Sequence, residues 1–441
     1  MAQNKNDKKA VPPTPENTRK NERDVIAALD IGSSKVCCFI AETGAHGGLD
    51  VIGIGHQAAR GVKSGKITDL KAAEHAIGYA VEAAENMARE RLQNRPISSV
   101  YVSVPGTQAL SHQMDVDARV TNGIVTDRDV RNALSHARAA GAHGRDDLIH
   151  VIPGNFTLDR QRGIADPRGM KGQQIGVHIS AVTAYTTALR NISHVAAQNH
   201  LDIEGYCAAP YAAGLSCLVD DEKDLGCTVI DMGGGTTSIA VFAEGRLIFT
   251  AAIPVGGQHV TSDIARGLTT SLADAERIKT LYGSAQTSPA DDAATIDVPP
   301  VGEEEHALPN YVPKSLLTGI IQPRIEETFE LVRAKLVDSG IDAKTGRRVV
   351  LTGGASQLSG LTDIAQLILD KQVRLGRPQK MRGLAEATGG PAFSACAGLL
   401  HYAVAHADEV PVFEKPQNFV FNVPIGGPLL QKVTLWLKEN W

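Results

Sequence analysis

The chain has 441 residues, more than one compact core accommodates and enough for two to four lobes. Its 43% hydrophobic and 21% charged content is that of a globular protein, and a net charge of −5 excludes a global basic field for nucleic acid. Six scattered cysteines without a C-x-x-C pair indicate buried free thiols in a reducing compartment, and no apolar run reaches the roughly 18 residues of a spanning helix.

Residues 1–24 are polar, charged and Pro-containing, without the apolar stretch of a secretory signal, and are expected to form a disordered leader. Order is expected from "DVIAALDIG". Strand-like runs and helical periods then alternate, which indicates an α/β architecture. "LKAAEHAIGYAVEAAENMARERL" has the apolar spacing of a helix, and "SSVYVSVPG" reads as a strand. "HVIPGNFTLD" and "QQIGVHISAV" read as strands on either side of the glycine-containing bend "GIADPRGMKG", so 101–183 is expected to be a small α+β insertion. The acidic, Pro-rich stretch 286–313 reads as a loop with one short strand, "ATIDV", inside it. Pro411, Pro416 and Pro424 interrupt 408–427, which reads as a tether spanning roughly 25 Å as a flexible coil.

Two segments repeat one pattern. "VIAALDIGSSKVCCFIAE" (25–42) and "TVIDMGGGTTSIAVFAE" (228–244) each run apolar strand, Asp, turn of small residues, second strand, Ala-Glu. Consecutive backbone N–H groups in such turns form an anion nest for phosphate. Gly32, Ser33, Ser34 and Lys35 in the first copy, and Gly233, Gly234, Gly235, Thr236 and Thr237 in the second, supply close approach, hydroxyls and one cation. Asp30 and Asp231 are placed to hold Mg2+ through water. No G-x-x-x-x-G-K-[ST] is present, and the glycines lead into strands rather than a helix, which excludes a P-loop and a dinucleotide fingerprint. A single such turn is an ordinary hairpin; two matched copies point to phosphate binding. A third turn, Gly353–Gly354–Ala355 in "VVLTGGASQL", lets a base or ribose lie on the backbone. Glu276 and Lys279 share a helix face as either a solvated ion pair or a nucleoside contact.

Three turns in this order resemble the actin, Hsp70 and sugar kinase superfamily. Within it, "IGIGHQAARGVKSGKITDL", "HVIPGNFTLDRQRGIADPRGMKG" and an amphipathic C-terminus on a tether resemble the FtsA family of bacterial cell-division proteins, over residues 25–441. Ala59 stands where that family usually has Ser before the Arg. The resemblance implies a two-lobed actin-like ATPase fold. It assigns 25–100, 184–226 and 388–407 to subdomain 1A, 101–183 to an inserted 1C, 227–257 and 331–387 to 2A, and 258–330 to 2B. It further implies ATP and Mg2+ between the lobes, filaments of the chain with itself, and attachment of FtsZ to the inner face of the cytoplasmic membrane at the division site, with recruitment of later division proteins.

FtsZ's C-terminal tail would dock on 2B through basic residues. There the chain carries Glu303, Glu304 and Glu305, with Arg277, Lys279, Lys314 and Arg324 nearby. Only Asp202 and Glu204 offer water-orienting groups in the connecting segment 202–218, so at most slow ATP turnover is expected. A metabolite kinase of the same superfamily is the alternative, but no sugar-binding motif surrounds a catalytic Asp.

The two tryptophans both lie at the end. On a helix over 428–441, Leu429, Leu430, Val433, Trp436, Leu437 and Trp441 fall within an arc of about 140°, flanked by Lys432 and Lys438. A terminal helix of this kind commonly docks on its own domain. The tether, the tryptophans and the flanking lysines favour an interfacial anchor on anionic lipid. Its affinity as a single copy would be modest, and copies along a filament would add avidity.

Overall fold

The computed structural model describes residues 24–44, 48–141, 146–289, 291–301, 310–342 and 345–405. The expected leader up to residue 23, the acidic run Glu303–Glu305, the tether expected at 408–427 and the helix expected at 428–441 lie outside the described residues.

Two five-stranded sheets repeat one topology. The first has the order Asp202–Ala208, Ser99–Val104, Val25–Ile31, Lys35–Thr43, Leu49–Ala58. The second has the order Arg246–Ile253, Thr237–Ala243, Cys227–Met232, Arg348–Thr352, Gln372–Leu375. In each, the central strand, Val25–Ile31 or Cys227–Met232, pairs antiparallel with the strand that follows it in the chain and parallel with its other neighbour, Ser99–Val104 or Arg348–Thr352. The repeat seen in two short hairpins thus extends through whole sheets.

The strands are apolar on both faces because both faces are covered. Leu29, Cys38 and Ile40 point to a cluster with Ala73, Ile77 and Ala80 of the helix Leu70–Ala88, which is capped by Asp69. Ala28, Cys37 and Phe39 point the other way. They share a cluster with Val229, Ala240 and Phe242 of the second sheet, and between them lie Tyr211 and Leu215 of the helix Ala209–Cys217 and Leu399 and Leu400 of the helix Ser394–Ala405. Every residue of 210–217 is buried, as a helix apolar all round requires. The outer face of the second sheet packs Ile230, Ile239 and Val241 against helices Gly257–Leu268 and Lys314–Asp338. All six cysteines are buried and free, as their scatter predicted.

The insertion is an antiparallel sheet of order Ala109–Arg119, Gln174–Ala184, Asp147–Leu158, Gln161–Ile164, packed on the helix Asp127–Gly141. The start expected at 101 falls inside Ser99–Val104, a strand of the first lobe's sheet. The insertion touches both lobes. Its His150 is buried, accepts from the Ala208 N–H at 3.0 Å and meets the Tyr402 hydroxyl at 3.3 Å. On the other side, the Gln113 side-chain amide donates to the Ile248 carbonyl at 2.7 Å, and Asn155 to Glu244 at 2.8 Å. The loop expected at 286–313 contains a two-stranded ribbon, Thr295–Val298 with Asn310–Pro313.

Candidate functional site

The two repeated turns are closed alike. Gly32 N–H donates to Lys35 O at 3.0 Å, and Gly233 N–H to Thr236 O at 2.9 Å. Each Asp is the next-to-last residue of its strand, so the sheets deliver Asp30 and Asp231 to the same end. The turns then meet. A Cβ on Gly234 would lie 2.7 Å from Ser34 Cβ, and one on Gly235 would lie 2.8 Å from Ser33 Oγ, so only glycine permits the approach. The backbone N–H groups of Ser33, Ser34, Gly234 and Gly235 have no protein acceptor among the described residues.

Helix Gly257–Leu268 starts on the second turn, with Gly257 and Gln258 N–H donating to Gly233 and Gly234 carbonyls at 3.0 and 2.7 Å. The Gln258 side chain crosses to the first turn and donates to Ser33 O at 3.1 Å. Gly353 sits at φ 85°, where a Cβ would lie 2.3 Å from Asp231 Oδ1; the third turn therefore rests on the second aspartate.

These elements enclose one cavity of about 1110 Å³. It is lined by Asp30, Gly32, Ser33, Ser34, Lys35, Asp231, Gly233, Gly234, Gly235 and Thr236, and further along by Glu276, Lys279, Gly353, Gly354 and Ala355. Thr237 is not among them. It is fully buried, and its hydroxyl donates to Val255 O at 2.8 Å. Glu276 and Lys279 form an ion pair at 2.6 Å within the cavity wall; Lys279 also donates to Thr261 Oγ1 at 2.8 Å, and the Thr261 hydroxyl donates to Glu276.

Burial pushes the Asp231 carboxyl up to about 7, and the neighbouring charge of Asp30 adds to this. Burial also raises Asp30 and outweighs its 2.6 Å hydrogen bond from Ser103. Lys35 is lowered, again by burial, and its Nζ lies 3.4 Å above the Phe393 ring. Two enclosed carboxylates with one cation form a site short of positive charge.

Sequence reading missed Gln258, Ser103 and Phe393. The glycine pair before Gln258 was the available signal; Ser103 and Phe393 reach the site only through pairing and packing of distant segments. Asp202 and Glu204 do not reach the cavity. Both are exposed, and Glu204 accepts from Ser99. The connecting segment brings Ala209 to the cavity instead. The four basic residues considered for 2B already have acidic partners: Arg277 with Asp274, Lys279 with Glu276, Lys314 with Asp291, Arg324 with Asp263 and Glu327.

A family model described as cell division protein FtsA matches residues 228–398, and one described as the SHS2 domain inserted in FTSA matches 106–183. The chain is 43% identical to the cell division protein FtsA of Agrobacterium fabrum over 432 residues, covering 95% of each. The chain belongs to the FtsA family of cell division proteins. It is also 33% identical to the Escherichia coli K12 protein of that name, covering 96% of this chain and all of that one. Among solved structures, a PilM–PilN type IV pilus biogenesis complex aligns with TM-score 0.57 at 17% identity, over 87% of this chain and 99% of that one. The fold is the two-lobed actin-like ATPase fold with an inserted SHS2 domain. No helix among the described residues is long and apolar enough to cross a membrane.

Proposed function

We propose that this chain is a nucleotide-holding, filament-forming adaptor that ties the FtsZ ring to the cytoplasmic face of the bacterial inner membrane and helps recruit later division proteins. The observation carrying the nucleotide reading is the meeting of both repeated turns and the Gly353–Gly354 turn on one cavity. Phosphates would sit on the N–H groups of Ser33, Ser34, Gly234 and Gly235, with the nucleoside between Glu276, Lys279 and Gly353–Ala355. Asp30 and Asp231 fit Mg2+ held through water: two enclosed carboxylates call for a divalent cation, and the described residues offer no third protein ligand. Bound Mg2+ would neutralise the aspartates and the phosphate oxygens together. Lys35 would bring positive charge beside the phosphates. Ala209, where the connecting helix meets the cavity, supplies no group to orient water, which supports slow ATP turnover or none.

We assign the lobes as 1A and 2A, the insertion as 1C, and the helices and ribbon between 258 and 330 as 2B. The anchor reading rests on the apolar arc of 429–441 and its flanking Lys432 and Lys438. Co-sedimentation with anionic liposomes and Mg-ATP tests it, comparing the full chain with one stopped after Gly427. The full chain should pellet and the truncation stay soluble; equal solubility of both would defeat the anchor. Assembly-blocked monomers that bind liposomes as tightly as wild type would defeat the coupling of anchoring to self-association.

A further inference from the structure

The cavity holds one cation that the proposed site leaves without a task. Lys279 is neutralised by Glu276, and Lys35 lies over Phe393 beside the two aspartates. Lys63 also lines the cavity, is exposed, and has no acidic partner among the described residues. It belongs to a hairpin in which Val62–Lys63 pairs with Lys66–Ile67, reversed through Ser64 at φ 47° and Gly65 at φ 75°.

That hairpin is keyed to both phosphate turns. Gly65 N–H donates to Ser33 Oγ at 2.9 Å. A Cβ on Gly235, in the second turn, would lie 3.0 Å from Ser64 Cα. The Thr107 hydroxyl holds the tip from behind, donating to Ser64 O at 3.2 Å. The residue next to Ser64 therefore leaves the backbone close to where both turns meet, on a four-carbon stem that reaches into the cavity.

We propose that Lys63 is the residue by which this site distinguishes a nucleoside triphosphate from a diphosphate; this rests on reading the cavity as a nucleotide site. At equal magnesium load the triphosphate carries one more negative charge. Lys35, on the first turn, serves the phosphates that both nucleotides carry, and Lys279 is paired, so the added charge meets Lys63. Contact with the terminal phosphate draws the hairpin against Ser33. Gly65, Lys66 and Ile67 also line a separate cavity of about 310 Å³ with Pro105, Gln108 and Tyr185, beside the root of the insertion. The presence of the third phosphate is thereby felt on the far side of the hairpin.

The test uses the full chain as wild type, Lys63→Ala and Lys63→Arg, titrated calorimetrically with Mg-ADP and with a magnesium-loaded, non-hydrolysable ATP analogue. Lys63→Ala should lose roughly 10- to 100-fold in affinity for the analogue, the range of one charge-assisted contact. Its affinity for Mg-ADP should change by no more than about twofold, as for an exposed charge. Lys63→Arg should recover most of the loss. Hydrogen exchange over 62–67 should slow more with the analogue than with Mg-ADP in wild type, and equally with both in Lys63→Ala. Equal weakening for both nucleotides, or none, overturns the proposal. Wild type binding neither nucleotide overturns the nucleotide reading as well, which separates the two failures.

Discussion

Replacing Asp231 with Asn should stabilise the nucleotide-free protein, although it removes a residue from the proposed binding site. The carboxyl is pushed up to about 7 by burial and by Asp30, against 3.8 for the unperturbed group. The folded state therefore holds a proton that the unfolded chain has already released across that interval. Stability is lost as pH rises from the unfolded value through about 7, and the full cost applies above it. Holding the ionised carboxyl in the folded protein therefore costs on the order of 2–4 kcal/mol. Urea unfolding of wild type and Asp231→Asn at pH 5 and pH 8 checks it. The variant should gain clearly at pH 8 and much less at pH 5, and Mg-ATP should stabilise wild type while leaving the variant little changed. Parallel pH profiles for the two proteins would refute the burial argument.

Gly353→Ala should be destabilised and bind nucleotide weakly: its Cβ would lie 2.3 Å from Asp231 Oδ1 at a positive φ, with strain of about 1–3 kcal/mol before any clash, readable by thermal unfolding and calorimetry. Arg374→Met should cost about 3–5 kcal/mol in urea unfolding. It removes hydrogen bonds of 2.5 and 2.8 Å from the buried Glu222 and leaves that carboxylate only the Arg348 guanidinium and the Val219 N–H, each at 3.3 Å.

The two turns that line the cavity were legible because their pattern is local: Asp30 with Gly32–Lys35, and Asp231 with Gly233–Thr236, each sit in one short stretch that repeats. Thr237 misleads for an equally local reason. Strand alternation turns it away from Thr236 and into the core, which a list of small polar residues does not reveal. Gln258, marked only by the glycine pair before it, and Lys63 join the site through contacts with the turns that their own segments do not reveal. The strand Ala109–Arg119 escaped notice because it is largely polar and exposed, held by eleven pairs to Gln174–Ala184 rather than by its own pattern. The buried helix Ala209–Cys217 shows no amphipathic period, since both sheets cover it.

The insertion's grip on both lobes has a thermodynamic consequence. His150 ties it to the first lobe through Ala208 and Tyr402, while Gln113 and Asn155 tie it to the second through Ile248 and Glu244. A change in the angle between the lobes therefore strains or relieves these contacts, and a protein seated on the insertion that favours one angle favours the nucleotide state sharing it. Linkage makes this reciprocal: whatever factor the nucleotide imposes on that protein's affinity, the protein returns to the nucleotide. On the proposed reading the insertion would be a second input to the cleft, and a partner that loads it would set how long nucleotide stays bound.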